Sequence, residues 1–165
     1  MTNQATIAAL VELSIRLEKS AAEIYRWLGS KFAHHQEVAD FWKRYAAEED
    51  MHAQWLERLR DRLDPGELSA PADPLMLNDA RSLLQSLAGK LSGIKNLEDA
   101  YQLVNELENS ETNAIFEFLI TNFGTDKKTQ NFLRSQLRDH IARLMIDFPT
   151  QFHNALARRN IEALD

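Results

Sequence analysis

Tyr45-Ala46-Ala47-Glu48-Glu49-Asp50-Met51-His52-Ala53-Gln54-Trp55-Leu56 is the stretch that decides how this chain folds. Read outward in both directions, it belongs to a stripe at Val38, Phe41, Trp42, Tyr45, His52, Trp55, Leu56, Leu59 and Leu63, the three-and-four spacing of a buried helix face. Glu49 and His52 stand three apart inside that stripe and so share its face. A carboxylate and an imidazole there are costly unless something binds them. The helix is expected over 36–63, ending before Asp64-Pro65-Gly66.

The same pattern recurs on both sides. A first helix is expected over 3–32, with Ile7, Leu10, Ser14, Leu17, Ala21, Ile24, Tyr25 and Leu28 on one face and Glu18 among them. Residues 64–96, broken by Pro65, Pro71 and Pro74, read as a long crossover with a short helix over 79–91. Asn96 then caps a helix over 97–123, with Glu98 and Asp99 in its first turn and Leu97, Tyr101, Val104, Leu107, Ile115, Phe118 and Leu119 in its stripe. After Gly124-Thr125-Asp126 a fourth helix, 127–148, carries Phe132, Leu133, Leu137, His140, Leu144 and Phe148. Pro149 kinks it or starts an extra C-terminal helix over 149–162. Two hairpins joined by one crossover make an all-α four-helix bundle, the arrangement of ferritin-like folds, in a single domain over 1–165. Leu17-Glu18-Lys19-Ser20 recurs as Leu107-Glu108-Asn109-Ser110, which suggests related hairpins.

Composition narrows the chemistry. The 165 residues carry 25 Asp+Glu against 19 Lys+Arg, net −6, which argues against nucleic acid or an anionic membrane surface as partner. There is no cysteine, so disulfides, thiolate zinc sites and iron–sulfur clusters are excluded within this sequence, and a metal must be held by oxygen and imidazole. With no signal-like start and no long uncharged apolar run, the expectation is a soluble, cytoplasmic protein.

Taken alone, Glu18 reads first as an edge residue reaching solvent, and His140 as a core histidine bonded to a backbone carbonyl or to Gln136. Depth brings them together. With the first loop near residue 34, Glu18 lies about 16 residues before it, and Glu49 and His52 about 15 and 18 after it, one level at ~1.5 Å per residue. With the second loop near 125, Glu108 and Glu111 lie about 17 and 14 before it and His140 about 15 after it. Glu108 and Glu111, three apart, are expected to share a face. Four glutamates and two imidazoles at one height suit two divalent cations, iron or manganese, and match the pattern of carboxylate-bridged metal bundles.

On these residues the sequence resembles the rubrerythrin branch of the ferritin-like family: Glu18 with Tyr25 two turns later, Glu49-Asp50-Met51-His52, and Glu108-Asn109-Ser110-Glu111. The resemblance implies Glu18, Glu49, His52, Glu108 and Glu111 as metal ligands, with Tyr25 donating a hydrogen bond to one carboxylate. It departs at Leu137, where the family's second Glu-x-x-His would place a glutamate three before His140, and at Phe116, which cannot donate a hydrogen bond. Gln136 shares the face of His140 and offers a carbonyl oxygen.

Three functions follow as expectations. The first is a two-iron centre, manganese or zinc being acceptable, that oxidises ferrous iron with oxygen or peroxide, or reduces peroxide with electrons from an external donor protein. Glu49 and Glu108, on facing helices, are its bridging candidates. The second is a metal carrier, sensor or oligomeric scaffold with a degenerate site, for which Leu137 argues. The third is a structural bundle whose carboxylates pair with Arg16, Lys19, Arg44 or Arg138. Apolar Ile15, Trp27 and Trp55, expected to face outward, point to a homo-oligomer, a dimer before others.

Overall fold

The computed structural model describes residues 4–124 and 126–146, the side chains of 111, 112, 141 and 144–146 excepted. The expected helix over 149–162 lies outside the described residues. Among those described, the elements are all helices: α1 (Ile7–Lys31), α2 (Gln36–Arg62), α3 (Pro65–Ser69), α4 (Pro74–Leu91), α5 (Leu97–Glu108), α6 (Glu111–Phe123) and α7 (Lys127–Ile146). The fold is an all-α ferritin-like bundle.

Local chemistry sets the helix starts. Thr6 caps α1 by accepting from the Ala9 amide at 3.2 Å, and Asn96 caps α5 by accepting from the Asp99 amide at 2.9 Å. Asp64 and Glu67 form a reciprocal capping box on α3. Asp73 and Pro74 open α4, with the Asp73 carboxylate accepting from the Leu75 amide at 2.9 Å. That start lies five residues ahead of the one expected at 79, because the Asp-Pro pair is itself a helix signal and Leu77, Ala80 and Leu87 bury a further stripe.

A second difference matters more. The helix expected over 97–123 is two helices, α5 and α6, parted at Asn109-Ser110. Three side chains reach carbonyls at the break: Ser110 Oγ donates to Leu107 O and Asn113 Nδ2 to Glu108 O, while Asn109 Nδ2 adds a bond at 2.7 Å to Asn105 O, which still accepts from the Asn109 amide. Short polar side chains compete with the backbone in this way. The break removes the helical i, i+3 relation between Glu108 and Glu111.

α1 packs along α2, α4 and α6 lie against α1, and α7 packs on α5 and α6. The core is aromatic around the middle of α1 and α2: Tyr25 stacks on Trp42 with centroids 6.0 Å apart, and Phe41 lies 4.6 Å from Tyr45. Phe116 of α6 is also fully buried. Ile15 is buried rather than outward-facing, and α1 packs against α4 and α6 as well as α2. Trp55 is half-buried against the core, and Trp27 is 37% exposed. No described helix is long and apolar enough to cross a membrane.

Candidate metal centre

Five titratable groups meet in this core. α1 contributes Glu18, α2 contributes Glu49 and His52, α5 ends on Glu108, and α7 contributes His140; all five are buried. Their ligand atoms form two groups, Glu18–Glu49–His52 and Glu49–Glu108–His140, each with its atoms within 4.8 Å of one another. Glu49 belongs to both. Its Oε2 lies 3.3 Å from His52 Nδ1 and its Oε1 lies 3.2 Å from His140 Nδ1, so one carboxylate spans the two groups. The imidazole centroids are 5.4 Å apart.

Both histidines present Nδ1 to the carboxylates. His52 Nδ1 is also 3.8 Å from Glu18, and His140 Nδ1 is 3.3 Å from Glu108. Both turn Nε2 away, His52 to Gln136 Oε1 at 3.3 Å and His140 to the carboxylate of Glu48. Gln136 thus meets an imidazole, where a contribution to the carboxylate cluster was expected. Tyr25 donates its phenolic hydrogen to Glu108 Oε1, as the resemblance implied. Tyr45 lies against His140, ring on ring at 4.9 Å, and its hydroxyl donates to the His140 carbonyl at 2.6 Å.

Burial and mutual repulsion shape the charges. Burial first, then the Glu49 charge, hold the Glu18 carboxyl well above its ordinary range. Burial would also raise Glu49, but the Glu18 carboxyl and the His140 and His52 imidazoles pull it below that range. Burial disfavours charge on the imidazoles, yet Glu18 and Glu49 push His52 up to about 10, and Glu108, Glu48 and Glu49 push His140 up to about 12. The cations found against Glu18, Glu49 and Glu108 are these two histidines, whereas Lys19 pairs with Glu57 at the surface.

The donor set fits a pair of transition-metal ions. Glu18 is fully buried, yet neither of its oxygens has a hydrogen-bond partner among the described residues. An unsatisfied buried polar group costs about 1–3 kcal/mol, more if charged, and His52 Nδ1, at 3.8 Å, stands beyond hydrogen-bond distance. Carboxylate oxygen with imidazole nitrogen is the chemistry that iron, manganese and zinc accept. Glu111 opens α6 but its side chain lies outside those described. Leu137 is an ordinary core residue, 8% exposed, and Phe116 packs its ring 4.8 Å from His52. A cleft of about 300 Å³ runs past Glu108, Ser110, Asn113 and Leu137.

Sequence reasoning missed Glu48, Arg143 and Asn113. Each lies beside an apolar stripe, not in it, and only the packing of α2 on α7 and the break after Glu108 bring them to the site. A family model described as Rubrerythrin matches residues 9–122, which takes in Glu18, Glu49, His52 and Glu108 and ends before α7. No match was found among curated proteins or among solved structures.

Proposed function

The chain belongs to the rubrerythrin family, and from that premise we propose that it binds two iron ions in its core and uses them in redox chemistry on oxygen, peroxide or ferrous iron. Glu18, Glu49 and His52 would hold one ion, and Glu49, Glu108 and His140 the other, with Glu49 shared. Bound there, the ions would supply one-electron steps at an oxygen-rich site. The observation that carries the reading is Glu18, a buried carboxyl with no hydrogen-bond partner among the described residues, set one carboxylate away from a second group of ligand atoms on the other side of Glu49.

The chain's own residues prepare the site. Tyr25 holds Glu108 by its hydroxyl, and Asn113 donates to the Glu108 carbonyl. These bonds fix the carboxylate at the helix break. The aromatic wall of Tyr25, Trp42, Tyr45 and Phe116 excludes water. The cleft beside Glu108 offers a small oxidant its approach. For the reduction of peroxide, an external donor protein would supply the electrons.

Leu137 and Phe116 favour a second reading, a carrier, sensor or scaffold that holds metal without turnover. Elemental analysis of protein from iron-supplied cells, repeated on Glu49→Ala, separates the readings. About two irons per chain, lost in the variant, with turnover of peroxide or oxygen, supports the first. Bound metal without turnover supports the second, and no metal under iron or manganese supply sinks both.

A further inference from the structure

The face of His140 that points away from the metal centre is built. Its Nε2 meets the carboxylate of Glu48, and Arg143 grips that same carboxylate with both ends of its guanidinium, Nη1 to Oε1 at 2.7 Å and Nη2 to Oε2 at 2.8 Å. Arg143 stands one turn beyond His140 on α7, and Glu48 stands one residue before Glu49 on α2. A bidentate pair of this kind fixes orientation as well as charge. Tyr45 closes the remaining side by its ring contact and by its bond to the His140 carbonyl. His52 differs: among the described residues its Nε2 faces the neutral amide of Gln136, at 3.3 Å.

We propose that Glu48, locked by Arg143, is a positioning residue that keeps the His140 proton on Nε2 and aims Nδ1 at the Glu49–Glu108 side, making that position the tighter of the two. The inference rests on the metal centre proposed above. Outer partners orient a ligating imidazole and raise its basicity, and their loss costs 10- to 100-fold in affinity. A charged acceptor does this more strongly than an amide, so the two halves of the centre are unequal by construction. Residues 48 and 143 never touch the ion, and both side chains reach the surface, at 20% and 32% exposure.

Zinc titration of the full-length apo chain, read by calorimetry, is the test. The unmodified chain should bind in two unequal steps. Glu48→Ala should weaken the tighter step 10- to 100-fold and leave the weaker one, Glu48→Gln should recover only part of the loss and bring the two steps closer together because its amide oxygen still accepts from Nε2 but carries no charge, and Gln136→Leu should weaken only the other step. Nitrogen NMR of the zinc-loaded unmodified chain needs no variant: His140 should carry its proton on Nε2. No zinc uptake by the unmodified chain overturns the metal centre itself. Uptake that is equal in Glu48→Ala and unmodified chains, or a His140 proton on Nδ1, overturns the positioning role alone.

Discussion

Replacing Glu18 by methionine should make the apo protein more stable and the metal-loaded protein less so. Glu18 is fully buried, with no hydrogen bond at either oxygen among the described residues, and its carboxyl is held well above the ordinary range, by burial first. Exchanging such a group for an apolar side chain of similar length removes an unsatisfied cost of about 1–3 kcal/mol. His52 loses a neighbour at 3.8 Å but keeps Glu49 at 3.3 Å, which trims the gain. A net of about 1–2 kcal/mol corresponds to a rise in melting temperature of about 2–8 °C for a domain of this size. Metal reverses the order: free ion at about 1,000 times the dissociation constant stabilises the unmodified chain by about 4 kcal/mol, and the variant has lost a ligand. Paired thermal melts, with chelator and with excess manganese, should therefore cross. If Glu18→Met melts below the unmodified apo protein by the several kcal/mol typical of a damaged core, the carboxyl contributes stability on its own and the reasoning fails.

Other perturbations follow from the same geometry. With burial and Glu49 raising Glu18, and neighbouring carboxylates raising His52 to about 10 and His140 to about 12 against burial, the folded apo chain holds protons that the unfolded chain releases. Its stability should then fall as pH rises from about 6.5 toward 10, and metal binding near neutral pH should release protons; flat apo stability by urea melts over that window would contradict this. Tyr25→Phe removes the hydroxyl bonded to Glu108 and should cost about 1.5–3 kcal/mol by chemical denaturation, with the backbone fold retained by circular dichroism. Phe116→Ala, emptying a fully buried site, should cost about 3–5 kcal/mol. Gly89→Ala, in the exposed interior of α4 where an added Cβ meets nothing within 4 Å, should instead stabilise by about 0.5–1 kcal/mol, and a loss would mean that α4 is strained there.

The site was legible where a polar residue interrupted an apolar stripe. Glu18, Glu49, His52, Glu108 and His140 each broke the three-and-four pattern on its own helix, and counting residues from the loops set them at one height, which is where the structure brings them together. Asn96 was readable as a cap for a similar reason, since an asparagine before two acidic residues has few other uses. The break at Asn109-Ser110 was not readable from stripes, because the apolar spacing runs on through it; the side chains that reach carbonyls at the break decide it. Glu48 and Arg143 lay off the stripes, and their pairing across 95 residues has no local signature. Ile15 was misjudged because stripe reasoning counts one partner per helix, and α1 has three long ones, α2, α4 and α6.

The proposed pair of ions flanks Glu49. Crystals of the iron-loaded chain, measured just above the iron absorption edge, test it directly through the anomalous difference map. Two peaks are expected, one among Glu18, Glu49 and His52 and one among Glu49, Glu108 and His140. A map without a peak within coordinating distance of Glu49 would contradict it.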